Sequence, residues 1–345
     1  MAGRRYAPRT QPPPTRTTVR GGETRVPTPT PAPPTTPTLH THTHTHTPET
    51  PLHLGLTLGP LRRGPADPTF RTTPTGALWR ASRTPEGPAT LRVTHHPDTT
   101  TVEAHAWGPG ATWFLSQLPH LLGESDDPTA FEPRHRLVAQ TTRRRPGLRL
   151  TRTGLILESL IPSILEQKVT TDEAYRAWRL LLNKYGEPAP GPAGEELRMR
   201  VMPDPRTWAL IPSWEWHKAG VDNKRAATII RSAKVARRLE EAAQMEPAAA
   251  RARLELVPGI GPWTSAETVQ RTHGAPDEVT TGDLHLPGIV GYALAANRDA
   301  TDEDMLELLA PYAGQRHRAA RLIMLSGVSP PRRQPKMRRV NIAEW

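Results

Sequence analysis

From about residue 131 onward the apolar positions recur with a helical period. The stretch 155–178 carries apolar residues at 156, 157, 160, 161, 164, 165 and 169, one face of a helix. Similar faces predict helices over 226–243, 263–271, 286–294, 302–309 and 315–325. The intervening EPAPGPAGE, 187–195, reads as a loop or insertion. Residues 51–130 follow another rhythm. Short alternating segments at 54–58, 77–80, 90–94 and 102–107 are punctuated by GPADP and HHPDTT, which predicts a small antiparallel sheet. One amphipathic helix is expected over 111–122, with Trp113, Phe114, Leu118, Leu121 and Leu122 on its apolar face. A sheet followed by a run of helices is an α+β layout.

Residues 1–50 have neither period. Of these 50, 26 are Pro or Thr, so little apolar surface is available to offset the entropy of ordering. A disordered tail with polyproline character is expected there. Six Arg against two Glu give it a charge of +4. His40, His42, His44 and His46 alternate with Thr, a pattern that reads either as a dipeptide repeat in the tail or as a weak collector of a transition metal. The expected domains are thus a tail (1–50), a sheet domain (51–130), a helical body (131–329) and a basic C-terminal extension (330–345).

Composition narrows the chemistry. The 345 residues include no cysteine, which excludes disulfides, thiol catalysis, cysteine-ligated zinc and iron–sulfur clusters. There is neither an apolar run long enough to span a membrane nor a secretory h-region, so a cytoplasmic, nucleoid-associated monomer is the expectation. The net charge of +11 favours an anionic partner, nucleic acid first. The 39 Arg against 6 Lys also suggest a compositional bias that would raise charge without any such purpose. Arg143–Arg145 and the cluster Arg332, Arg333, Lys336, Arg338, Arg339 flank the helical body as solvated charge or as phosphate contacts.

The most informative segment is LELVPGIGPWTSAETVQRTHGAPDEVTTGDLHL, 254–286. Gly259 and Gly261 flank an apolar residue at the start of a helix. Such a turn allows unusual φ values and leaves backbone N–H groups uncovered where the helix dipole is positive, a phosphate-binding device. A single carboxylate, Asp283, follows about twenty residues later, with His285 two places on.

This combination resembles the helix-hairpin-helix DNA glycosylase superfamily. The order of sheet before helices is similar to its alkylpurine branch, that of DNA-3-methyladenine glycosylase II. LILESLIPSILEQKVTTDEAYRAW resembles the first core helix of that branch and PYAGQRHRAARLIM its closing helix. The resemblance covers roughly 54–329. It implies double-stranded DNA with damaged bases as partner, the hairpin as the grip on the DNA backbone, and Asp283 as catalytic residue. A carboxylate beside the sugar stabilises the cation that develops as a base departs. Because Gly282-Asp283 also precedes a helix, a simple N-cap is the plain alternative. Superfamily members that also cut the strand carry a lysine where this chain has Trp263, so the resemblance implies a monofunctional enzyme. Trp263 would then wall the pocket of a flipped base, or simply pack in the core.

Gln167 and Lys168 lie in ILEQKVT, the turn that in relatives enters the gap left by the flipped nucleotide. Here Lys168 replaces the usual Gln or apolar residue and suggests a phosphate contact. Gly259, Gly261, Gln167, Lys168 and Thr264 are therefore the expected DNA-binding residues. No cofactor is required, although relatives often hold a monovalent cation on hairpin carbonyls. Trp208, Trp214 and Trp216 are read mostly as packing, with a pocket role as the alternative, and His285 as structural or backbone-contacting and not as a general acid. The resemblance implies excision of alkylated purines in base-excision repair. The alternatives are a glycosylase for another lesion, such as deaminated bases, and a non-catalytic DNA-binding protein of the same fold.

Overall fold

The structure is a computed structural model and describes residues 41–96 and 98–331. The expected α+β order is present. Five antiparallel strands come first: β1 (His42–His46), β2 (Phe70–Thr72), β3 (Leu78–Thr84), β4 (Gly87–His96) and β5 (Thr101–Trp107), in the spatial order β1-β5-β4-β3-β2. Alternation sets the faces. Leu91 and Val93 of β4 lie opposite Ala106 and Ala104 of β5, and all four are fully buried against Phe114, Leu118, Leu121 and Leu122. The other face carries Trp79 and Trp107, stacked with ring centroids 5.3 Å apart, under the segment 187–201.

Several boundaries differ from the expectations, each for a local reason. The His-Thr repeat is not all tail: His42–His46 form edge strand β1, and Thr41 accepts a hydrogen bond from the Trp107 indole at 2.8 Å. The sheet region therefore starts near residue 41 and not at 51. The expected tail over 1–40 and the extension beyond 331 lie outside the described residues. Leu54–Leu58 is a helix and not a strand, because His53 accepts the Leu56 N–H at its start. The helix expected over 111–122 is two, Ala111–Ser116 and Leu118–Leu121, broken where Pro119 removes a backbone donor.

The helical body is built round Ile156–Leu165. Nine of its ten residues are buried, so it is a central helix and not an amphipathic surface one. It does not run on to Trp178. The chain turns over 166–170, with Lys168 at φ +54, and a new helix, Thr171–Tyr185, opens on a capping box of Thr170 and Glu173. The helix expected over 226–243 likewise breaks at Val235, into Asn223–Lys234 and Ala236–Glu240. The 187–195 segment carries the short helix Pro192–Glu195. Trp208 and Trp216 are buried and stacked, as expected of packing, whereas Trp214 is 61% exposed.

Side chains lock the sheet to the helices. Glu158 of the central helix accepts from Arg80 (2.7 Å), Ser82 (3.0 Å) and the Arg83 backbone (2.8 Å). Arg63 pairs with Glu166 at 2.9 Å, and the Trp178 indole donates to fully buried Asp67 at 3.0 Å. Arg318 meets Asp126 with both side chains almost completely buried. Breaking a pair of that kind costs several kcal/mol, roughly 3–5, because the survivor is left as an unpaired buried charge. Among the described residues no helix is long and apolar enough to cross a membrane.

Candidate active site

The hairpin consists of helices Pro247–Glu255 and Pro262–Thr272 and the turn between them, each helix opening on a proline that suits its first position. Only one of the two glycines needs its special conformation. Gly259 has φ +100, and a Cβ there would stand 2.1 Å from the Thr228 hydroxyl. Gly261 has φ −112, an extended value open to any residue, and a Cβ there would meet nothing within 4 Å. The expectation of unusual φ values at both glycines is thus corrected for Gly261. What Gly261 leaves is open space above the helix N-terminus. The backbone N–H groups of Gly259, Gly261, Trp263 and Thr264 make no hydrogen bond within the described residues.

Side chains brace this turn from behind. The Gln167 amide donates to the Gly259 carbonyl (3.0 Å) and to the Thr264 hydroxyl (2.8 Å). Arg231 donates to the Pro258 carbonyl at 3.0 Å and to Thr228 at 3.0 Å. Thr264 is 2% exposed, so its side chain is a brace and no surface contact. Gln167 is likewise committed to the hairpin. Lys168, next to it, is exposed in the left-handed region, a conformation that costs a residue with a Cβ about 1 kcal/mol or more.

Asp283 lies just before the helix Leu286–Ala295. Its Oδ1 accepts the backbone N–H groups of His285 and Leu286, both at 2.8 Å, so it does cap the helix. Its Oδ2 accepts the Trp263 indole N–H at 2.9 Å. Capping and chemistry are therefore not alternatives: Oδ1 is spent on the backbone, and Oδ2 keeps a lone pair. Burial pushes the carboxyl pKa up. The indole and the two backbone donors outweigh that and hold it below the ordinary aspartate value. The loop is fixed from a second helix, Asp302–Leu309, where Asp302 accepts the Gly282 N–H at 2.8 Å.

Asp283 opens onto a cleft of about 160 Å³. Its lining includes Glu267, Gln270, Thr280, Leu286, His317 and Met324. Trp263 is not part of that lining; its indole supports the carboxylate instead of walling the cavity. Glu267, one turn after Trp263 on the hairpin helix, accepts from Thr280 (2.8 Å) and Arg271 (2.7 Å). Glu267 and Asp302 were missed in the sequence. The four-residue spacing from Trp263 was a usable signal for Glu267; nothing local marked Asp302. His285 also lines the cleft and is exposed.

No family model and no curated protein matches this sequence. Solved structures do. One is the 3-methyladenine DNA glycosylase from Archaeoglobus fulgidus, with a TM-score of 0.67 at 17% identity, over 82% of this chain and 98% of that one. MBOgg1, solved in complex with a low-affinity DNA ligand, gives 0.66 at 14% identity, over 84% and 98%. The 8-oxoguanine glycosylase/lyase of Clostridium acetobutylicum, solved with double-stranded DNA, gives 0.62 at 10% identity, over 80% and 91%. The sheet, the helical body and the hairpin are together the fold of the helix-hairpin-helix DNA glycosylases, and this chain has that fold.

Proposed function

We propose that this protein is a monofunctional DNA glycosylase that excises alkylated purines from double-stranded DNA, acting as a monomer in base-excision repair. The observation that carries the proposal is Asp283, an ionised carboxylate held by three N–H donors at the mouth of a cleft with one Oδ2 lone pair free. A damaged nucleotide turned out of the duplex would place its base in the cleft and its sugar beside Asp283. Alkylation at purine N3 or N7 leaves the base cationic. The C1′–N bond then breaks with its electron pair going to the base, which departs neutral. The carboxylate stabilises the sugar cation. Water adds to C1′, and its proton passes to Asp283 and on to solvent.

No lysine is among the residues that line the cleft, and Trp263 stands where a Schiff-base lysine would be needed. The free N–H groups of the hairpin would receive a DNA phosphate at the positive end of the Pro262–Thr272 dipole, with Lys168 nearby as a second backbone contact. A monovalent cation on the hairpin would be held by backbone carbonyls, of which those of Pro258 and Gly259 each accept one side-chain donor, Arg231 and Gln167, and keep a second lone pair. No step of the reaction depends on it.

The fold is common to 3-methyladenine and 8-oxoguanine glycosylases, so the lesion must be tested directly. Duplexes bearing 7-methylguanine, 3-methyladenine, hypoxanthine or no lesion are incubated with the protein, then opened at abasic sites by alkali. Release of the alkylated purines is expected. Asp283→Asn should lower the single-turnover rate by about 10³ or more while DNA binding is kept. Retention of more than about a tenth of the rate would remove Asp283 from the chemistry. Borohydride should trap no protein–DNA adduct; a strong adduct would show lyase activity.

A further inference from the structure

Two imidazoles that the reaction above does not use line the cleft, exposed His285 and buried His317. His317 opens the helix Arg316–Leu325, lines the cleft with Asp283, and is 8% exposed. The other polar side chains of the lining are either engaged, as Glu267, Gln270 and Thr280 are, or exposed to solvent, as His285 is. Glu267 accepts from Thr280 and Arg271. The Gln270 amide donates to the Glu278 carbonyl (2.9 Å) and to Thr280 (2.8 Å). The His317 imidazole interacts with the Arg321, Arg271 and Arg318 charges but has no hydrogen-bond partner among the described residues.

The imidazole is nevertheless held firmly in place. The His317 backbone N–H donates to the Pro276 carbonyl at 2.9 Å. On its two sides, Arg316 Nε bonds Asp277 at 2.8 Å and Arg318 is paired with Asp126. One turn on, Arg321 donates to the Leu56 carbonyl at 2.8 Å. Four anchors from other parts of the chain thus fix a helix end whose one unpaired side chain faces the cleft. No Trp, Tyr or Phe lines the cleft, so stacking on an aromatic wall cannot supply the recognition of a base.

We propose that His317 is the base-reading residue of the cleft, hydrogen-bonding the edge of the extruded base through its imidazole. The inference rests on the glycosylase reading and adds the group that sets lesion choice. Burial, and then the guanidiniums of Arg321, Arg271 and Arg318, push the imidazole pKa well below its ordinary value. An uncharged ring offers one donor and one acceptor and does not repel a cationic base. An unreactive neutral purine depends more on such a bond than a cationic one, whose bond to the sugar is already weakened. His317 therefore sets a ratio between lesions and not merely a rate.

The test compares full-length wild type, His317→Leu and His317→Gln. Single-turnover excision is measured on matched duplexes carrying 7-methylguanine or hypoxanthine, and binding is measured on a duplex with an abasic-site analogue, which has no base to read. Loss of one hydrogen bond to the base should change the ratio of the two rates by about tenfold in His317→Leu. Gln, which retains a donor and an acceptor, should restore part of that ratio. Abasic-site binding should stay within about twofold of wild type in both, because phosphate contacts carry it. An equal fall on both lesions, or a matching loss of abasic-site binding, would make His317 a structural residue and overturn the proposal. If the wild type released no base from any duplex, the glycosylase reading itself would fall, and this proposal with it.

Discussion

The hairpin and the cleft share one helix, Pro262–Thr272, yet they are built from different material. The hairpin is backbone: its working groups are main-chain N–H donors, and side chains from Gln167, Thr228 and Arg231 only hold it in shape. The cleft is side chains, gathered from 267–270, from 279–289 and from 317–324. A backbone device tolerates any residue that leaves the chain path unchanged, and fails sharply where it does not. A side-chain device should fail gradually, one contact at a time. Asp283 belongs to both, since Oδ1 answers to the backbone and Oδ2 to Trp263.

The largest effect that tests this contrast is expected at Gly259. An alanine there would have to adopt φ +100 and would press on the Thr228 hydroxyl at 2.1 Å. Strain and overpacking together should cost about 2–5 kcal/mol of stability. Urea denaturation of Gly259→Ala should therefore show a clearly lowered midpoint, with DNA binding lost alongside. A midpoint equal to wild type would mean that the turn is not fixed in the way described.

A smaller loss is expected at Trp263. Phe keeps the ring and removes only the N–H that meets Asp283. A hydrogen bond to a charged group is worth roughly 1.5–3 kcal/mol, so excision should fall by about 10- to 100-fold while DNA binding holds. The pH profile separates this from general damage. Asp283 titrates below the ordinary aspartate value, so its anion persists as pH falls from neutral, and excision should stay flat down to the acid limit of folding. The sign of the linked stability is the usual one for a depressed carboxyl. Its contribution is present above the unfolded-state pKa and is lost as pH falls through the folded one. In Trp263→Phe one of the groups that lowers the pKa is gone, so the acid limb of the excision profile should move to higher pH. An unmoved limb would show that the indole does not govern the carboxylate.

The same division explains what was legible in the sequence. The hairpin, Asp283 and the helix periods were visible because each lies within a short run of consecutive residues. The start of Pro262–Thr272 was placed within one residue, and Asp302–Leu309 without error. The break at 166–170 was also written locally, in the capping pair Thr170 and Glu173, but the apolar period on either side concealed it. His42–His46 became a strand only because β5 offered an edge, His46 opposite Val102 and His42 opposite Ala106, 56 to 64 positions away, and a polar repeat carries no sign of that. The cleft was not legible. Glu267, Gln270, Thr280 and His317 meet through tertiary packing, and their arrangement depends on anchors such as Arg318 with Asp126, nearly 200 residues apart.

The smallest effect on stability, and the sharpest test of the backbone reading, is expected at Gly261. Its φ of −112 suits any residue, and a Cβ would meet nothing within 4 Å. Gly261→Ala should therefore change stability by no more than about 0.5 kcal/mol, as for a surface position without special geometry. DNA binding should respond differently. The open space over Gly261 lies above the uncovered N–H groups of the helix N-terminus, where a phosphate would come closest to the backbone. A methyl group there should weaken binding by several-fold and Val by more, with damaged and undamaged duplexes affected alike, because a backbone contact positions the DNA and specifies no base. Salt-titrated binding of the two variants, beside their urea midpoints, makes the comparison. Binding equal to wild type in Gly261→Val, with the fold intact, would remove the phosphate from this face of the hairpin and leave Lys168 and the flanking arginines to hold the DNA.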